Sequence, residues 1–341
     1  MKRKLFALLM SVLLIGAMVA GCGSKDKNSS DSKDTSTDAS SDSSGDLITI
    51  GFSQVGAESD WRVANTESMK SALSEENGFK LIFADAQQKQ ENQTKAVRDF
   101  ISQEVDIIVI APVTETGWET VLGEAKDAGI PVIIVDRMID VSDDTLYSCW
   151  VGSDFKQEGV DAANWLVEYM DKQGTGDAEH NIVVLQGTIG SSAEIGRTQG
   201  FNETIAAHAN YKILEEQTGE FTQAKGQEVM EAFLKKYDNI DVVIAQNDNM
   251  AFGAIDALKA AGKTPGKDVT IVSFDAVKAA FESMIAGDMN VSVECNPLHG
   301  PRVAELAKKL MAGETVEKIQ YVEEGVYPAE TAEKELPNRQ Y

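Results

Sequence analysis

Ala128-Gly129-Ile130-Pro131-Val132-Ile133-Ile134-Val135-Asp136-Arg137, residues 128–137, holds the pattern on which the rest of the chain is built. Gly129 and Pro131 close a helix and open a strand, because glycine takes the left-handed cap and proline cannot continue the helix. Val132–Val135 is an unbroken run of branched aliphatic residues. Such a run suits a parallel strand covered on both faces, whereas a strand with one wet face alternates. Charge arrives only at its carboxyl end, with Asp136 and Arg137.

The same grammar recurs on both sides. Ile48–Phe52, Leu81–Ala84, Ile107–Ile110, Ile182–Leu185, Val242–Ala245 and Val269–Phe274 are further apolar runs of strand length. Between them, Val97, Phe100, Ile101 and Val105 recur at helical spacing, as do Trp118, Val121, Leu122 and Ala125, and then Ile255, Leu258 and Ala261. Ala261-Gly262-Lys263-Thr264-Pro265-Gly266 repeats the helix stop. Short strands alternating with helices predict a parallel α/β architecture, and right-handed crossovers put helices on both faces of each sheet.

Polar residues gather just past the strand ends. Gln246-Asn247-Asp248-Asn249 follows Ala245, Asp275 follows Phe274, and Gln186-Gly187-Thr188-Ile189-Gly190 follows Leu185, with Arg197 a short way beyond. Open α/β sheets bind ligands outside the carboxyl ends of their strands. Polar strand ends are ordinary one at a time; four at one topological level predict a binding cleft.

The chemistry of that cleft is narrowed by what is missing. His180, His208 and His299 are far apart and lack ligand spacing, and no CxxC pair occurs, so neither a metal nor any other cofactor is expected. No serine sits in a G-x-S-x-G elbow, and Gly187–Ser192 lacks both the Walker lysine and the GxGxxG spacing. The Gly187–Ser192 stretch reads as a strand-to-helix turn. Carboxylates are plentiful, yet nothing singles out two as a glycosidase pair, and no enzyme activity is predicted.

The candidate ligand-binding residues are Asp136, Arg137, Arg197, Asn247, Asp248 and Asp275, with Trp61 and Phe221 in neighbouring loops. Guanidinium, carboxylate and amide groups each make forked hydrogen bonds to vicinal hydroxyls, while aromatic rings cover the apolar C–H face of a sugar. Each has a plainer reading. Asp136-Arg137 suits a local ion pair, Arg197 a solvated helix position, Asn247 and Asp275 helix caps, and Trp61 and Phe221 packing at an edge.

The amino terminus sets location. Lys2, Arg3 and Lys4 precede an apolar run from Leu5 to Ala20, the layout of a signal peptide over residues 1–21. Val19-Ala20-Gly21-Cys22 resembles a bacterial lipobox, which implies lipid on Cys22 and extracytoplasmic anchoring to the cell membrane; the alternative is an ordinary signal peptide with an incidental cysteine. Residues 23–46 contain no aromatic or branched aliphatic side chain and read as a disordered linker. With 31 Lys+Arg against 55 Asp+Glu, the net charge is −24, which argues against nucleic acid and against contact of the folded body with anionic lipid. Cys149 and Cys295 read as two unpaired buried thiols, although export permits a bridge.

With these residues in hand, the chain resembles the type I periplasmic sugar-binding proteins that serve ABC importers. The carriers are Ile48-Thr49-Ile50-Gly51-Phe52-Ser53, Asp136-Arg137, Arg197, Asn247-Asp248 and Asp275, and the resemblance runs from Leu47 to about Tyr327. Ser59-Asp60-Trp61-Arg62, Gln87–Gln93, Thr116-Gly117-Trp118-Glu119 and Gly219-Glu220-Phe221-Thr222 are similar to its galactofuranose-binding subgroup. The resemblance implies two doubly wound parallel-sheet lobes joined by three crossovers, near Cys149-Trp150, Glu294–Asn296 and Val322–Gly325. Lobe one is then 47–149 plus 296–321, and lobe two is 150–295 plus 322–341. It implies that Trp61 and Arg62 project from the first loop into the cleft. It places a contact near Glu294, Cys295 or Asn296, where the subgroup usually has an aliphatic residue in place of Cys295. Both remaining cysteines fall at crossovers, where a bridge would restrain closure. It also implies a monomer that closes on a furanose such as galactofuranose and hands it to the importer's membrane subunits. The rivals are a sensor signalling to a membrane kinase or chemoreceptor, a surface glycosidase and, remotely, a sugar-responsive repressor.

Overall fold

The computed structural model describes residues 47–341; the expected signal peptide, the lipidated Cys22 and the linker lie outside the described residues. Two six-stranded sheets are present. The first is formed by β1 (Ile48–Gln54), β2 (Phe79–Asp85), β3 (Ile107–Ile110), β4 (Val132–Val135) and β5 (Cys149–Gly152). The second is formed by β6 (His180–Gln186), β7 (Tyr211–Thr218), β8 (Val242–Ala245), β9 (Thr270–Asp275) and β10 (Val291–Glu294). The edge strands β11 (Ile319–Tyr321) and β12 (Val326–Pro328) complete the first and second sheets respectively. Strand order is β2-β1-β3-β4-β5-β11 in one and β7-β6-β8-β9-β10-β12 in the other, so the second sheet repeats the first. All pairings are parallel except β10 with β12.

The helices are α1 (Asp60–Ala72), α2 (Gln90–Ser102), α3 (Glu119–Asp127), α4 (Phe155–Lys172), α5 (Ser192–Ile205), α6 (Gln223–Lys236), α7 (Asp248–Ala260), α8 (Lys278–Ala286), α9 (Gly300–Met311) and the short α10 (Ala332–Glu335). Every residue of β3, β4 and β8 is buried, as expected of strands covered on both faces. Each sheet is accordingly flanked by two apolar layers. None of the helices among the described residues is long and apolar enough to cross a membrane.

The chain passes between the sheets at three places: after β5, after β10, and between β11 and β12. The first passage lies later than expected. Trp150, Val151 and Gly152 pair with β4 and with β11, and so belong to the first sheet. Gly152 is required there, because a Cβ would stand 2.4 Å from the Asp136 carbonyl oxygen. Cys149 and Cys295 are both buried free thiols.

Candidate functional site

Ser59 caps α1, its side chain accepting from the Arg62 amide at 3.1 Å. That cap puts Trp61 and Arg62 in the first turn of a helix rather than in a loop. Arg62 Nη1 donates to Asp136 Oδ2 at 2.6 Å and to Gln54 Oε1 at 3.2 Å, and Nε donates to Glu58 Oε1 at 3.0 Å. Asp136 follows β4 with φ 61°, a conformation costly for a non-glycine residue; its amide donates to Val151 and its carbonyl accepts from Trp150 Nε1. Arg137 donates through Nη1 to Val113 O at 3.0 Å, and its guanidinium lies 5.0 Å over the Phe221 ring, which comes from the other lobe.

The second lobe mirrors this. Arg197, within α5, donates from Nε to Glu158 Oε2 at 2.6 Å, and its Nη2 stands 3.6 Å from Asp275 Oδ1. Asp275 ends β9 with φ 102°. Asn247 is the cap of α7: Oδ1 accepts from the Met250 amide at 2.9 Å and Nδ2 donates to Phe221 O at 3.0 Å. Phe221 reaches inward over Gly187, where a Cβ would sit 1.9 Å from the ring.

These side chains converge. Trp61, Arg62, Asp136, Arg137, Arg197, Phe221, Asn247 and Asp275 all line one cavity, at the carboxyl ends of the strands of both sheets. All are buried. Asp248 stands apart. Its Oδ1 accepts from Ser273 at 2.6 Å and Ser292 at 2.8 Å, and its Oδ2 from the Val277 amide at 2.9 Å. Every oxygen is committed to tying α7 to β9, β10 and the start of α8, so it braces the site from outside. Glu58, Ser59, Phe155, Ala193 and Cys295 also line the cavity and were not expected from the sequence, apart from Cys295 as one of three possibilities. Glu294 turns away to Arg339, Tyr341 and Tyr327, and Asn296 Oδ1 accepts from Leu298. The spacing of Glu58 four residues before Arg62, around a serine cap, was the available signal.

Three guanidinium groups face the carboxyl groups of Glu58, Asp136 and Asp275. Burial alone would raise Asp136, but the Arg62 and Arg137 charges outweigh it and hold the carboxyl below its ordinary value. Burial raises Asp275 well above its ordinary value, against the pull of Arg197. Burial, reinforced by Arg62, brings Arg137 down to about 10. The bonds named above leave each guanidinium with unused N–H groups, since each carries five. The arrangement therefore offers several fixed donors and acceptors to a hydroxyl-rich molecule.

Direct contacts across the cleft hold the lobes together around this space. The Asp60 amide donates to Asn249 Oδ1 at 3.0 Å, the Met138 amide to Ser192 Oγ at 2.7 Å, and the Glu115 amide to Gly190 O at 2.9 Å. Trp61 Nε1 donates to Cys295 O at 2.6 Å, and its ring is buried in the core of the second lobe.

A family model described as periplasmic binding protein domain matches residues 50–315. The galactofuranose-binding protein YtfQ of Escherichia coli is 47% identical over 296 residues, covering 86% of this chain and 91% of that protein. A crystal structure from Mycobacterium smegmatis in complex with β-D-fucofuranose superposes with a TM-score of 0.83 at 48% identity, covering 86% of this chain and 96% of the other. The binding protein of the arabinose ABC transporter from Shewanella, bound to α- and β-L-arabinofuranose, gives a TM-score of 0.81 at 48% identity over 86% and 95% of the two chains.

Proposed function

Because the chain belongs to the periplasmic binding protein domain family, we propose that it is the sugar-binding component of an ABC importer, capturing one monosaccharide between its lobes. The observation that carries this reading is the cavity lined by buried polar and aromatic side chains from both sheets. Its buried lining of guanidinium, carboxyl, amide and aromatic groups suits one small hydroxyl-rich molecule. The ligand we assign is a furanose such as galactofuranose, the ring form named for relatives at 47–48% identity.

The assigned contacts are Trp61, Arg62, Asp136, Arg137, Arg197, Phe221, Asn247 and Asp275, with Asp248 as their brace. Hydrogen bonds to charged groups contribute about 1.5–3 kcal/mol each, so several of them reach micromolar affinity or better after desolvation and ordering. The sugar favours the closed form because only that form presents contacts from both lobes. The protein acts as a monomer without covalent chemistry or cofactor. The lipid on Cys22 holds it at the outer face of the membrane, and the importer's membrane subunits receive the closed lobes.

Calorimetric titration of the folded part against pentoses and hexoses tests the reading. Micromolar or tighter heat with at least one sugar supports it, and no heat with any of them removes it. The carbon-13 resonance of bound galactose labelled at C1 then reports ring size; a pyranose signal refutes the furanose assignment.

A further inference from the structure

The three passages between the lobes each send a polar group to one buried point. Ser153 follows β5, Cys295 follows β10, and Glu324 lies between β11 and β12. Ser153 Oγ donates to Glu324 Oε1 at 2.6 Å and lies 3.3 Å from Cys295 Sγ, while the Asn296 amide donates to the same Glu324 oxygen at 2.7 Å. Glu158, from α4, closes the group: one oxygen of Glu158, one of Glu324 and the Cys295 sulfur lie within 4.8 Å of one another. Glu158 Oε1 is buried without a hydrogen-bond partner, while Oε2 grips Arg197 Nε at 2.6 Å. Cys295 lines the cavity and its carbonyl accepts from Trp61.

Three acidic or sulfur ligands also suggest a cation, but this cluster is not built as a cage. A guanidinium already neutralises Glu158, and Glu324 Oε1 already accepts two hydrogen bonds. What remains is a tie between the hinge and a cavity arginine. Removing one partner of a buried pair leaves the other charge uncompensated, so Arg197, whose Nη1 also donates to the Gln246 carbonyl, relies on Glu158 for its compensating charge.

We propose that Glu158, which does not line the cavity, is the positioning residue for Arg197 and couples that arginine to the hinge. The inference deepens the sugar-binding reading and rests on it. Glu158 fixes the Nε edge of Arg197, which leaves Nη2 beside Asp275 at the ligand's position. The same carboxyl group lies beside Cys295 and Glu324 of two crossovers, and Ser153 of the third reaches it only through its bond to Glu324, so displacement of Arg197 by an arriving hydroxyl is felt where the lobes bend.

The test is a double-mutant cycle on the full chain, read by calorimetry with D-galactose, with thermal melts confirming the fold. Glu158→Gln is expected to weaken binding tenfold or more. In an Arg197→Lys background the same change should cost less than twofold, since the partner it positions is already altered. Unchanged affinity in Glu158→Gln, or an equal loss in both backgrounds, overturns the proposal. If Glu158→Gln does not fold, Glu158→Asp keeps the charge but shortens the reach; a loss of threefold or more supports the proposal and none overturns it. Nitrogen-15 NMR of the wild-type Arg197 Nε–H needs no sugar. A downfield, slowly exchanging proton that disappears in either variant is expected, and a freely exchanging one is fatal. A wild type that binds no sugar would fail the functional reading while this resonance still decides the positioning role.

Discussion

Asp136 and Asp275 occupy equivalent places in the two sheets, one directly after β4 and the other ending β9, and both take positive φ, 61° and 102°. Each faces an arginine of its own lobe, Arg62 at 2.6 Å and Arg197 at 3.6 Å. Their electrostatic situations are opposite. Asp136 is held below its ordinary value by Arg62 and Arg137 against burial, whereas burial drives Asp275 upward. Neutralising them should therefore differ. Asp136→Asn breaks a buried charge pair and is expected to lower stability by about 3 kcal/mol, with a clear fall in Tm. Asp275→Asn should stay within about 1 kcal/mol of wild type, because losing that charge relieves desolvation. Thermal melts decide; equal destabilisation by the two refutes the contrast.

Stability should decline as pH rises from the ordinary carboxyl range toward about 9. Burial brings Asp248 up to about 7, and burial with the nearby Glu158 charge brings Glu324 up to about 9. The folded protein holds these protons longer than the unfolded chain, so the stabilisation present at low pH is lost as pH rises through the folded values. Glu324→Gln should flatten the fall between pH 7 and 9 by up to about 1.4 kcal/mol per pH unit, the worth of one proton. Urea titrations at several pH values measure it, and an unchanged slope contradicts it.

Buried His299 works in the other direction. Burial brings it down to about 4, with Asp136 opposing. The unfolded chain takes up the proton first, so stability is lost as pH falls from about 6.5 toward 4. His299→Asn should remove that loss, as read by acid melts.

The contact between Asp60 and Asn249 spans the cleft without entering the cavity. Asn249→Ala should weaken sugar binding by about tenfold at most, since a typical hydrogen bond contributes about 0.5–1.5 kcal/mol. The enthalpic fingerprint among different sugars should be unchanged. A shift in which sugar is preferred would place Asn249 in the specificity machinery instead.

Gly187→Ala asks whether Phe221 is needed where it stands. The added Cβ meets the ring at 1.9 Å and must displace it from beneath Arg137. Cation–π pairs that are desolvated contribute up to about 2 kcal/mol, so affinity should fall roughly tenfold or more in calorimetry with the fold preserved.

Most central strands were legible because burial on both faces leaves nothing but aliphatic residues, as in Val132–Val135, whereas β10, Val-Ser-Val-Glu, was missed. Of the edge strands, β2 was read as Leu81–Ala84, but β7, β11 and β12 were not legible. β7 reads Tyr-Lys-Ile-Leu-Glu-Glu-Gln-Thr, with charges on an open face, and β11 has only three residues. β5 escaped because Cys149-Trp150-Val151-Gly152 is short and ends in the glycine that lets Asp136 approach. In the site, charge just past a strand end marked Asp136, Arg137, Asn247 and Asp275, and the same signal misplaced Asp248. Position after a strand fixes where a backbone goes, while the choice between cavity and brace depends on Ser273 and Ser292, hydroxyls from two other strands. Glu158 gave no local sign at all, since its meaning comes from crossovers far apart in the chain.

Trp61 grows from a helix of one lobe and beds into the apolar interior of the other, while Trp118 stays within its own lobe's layer. Parting the halves must draw that indole out into water. The chain thus carries its own optical gauge, and stopped-flow emission would time each capture without any attached dye.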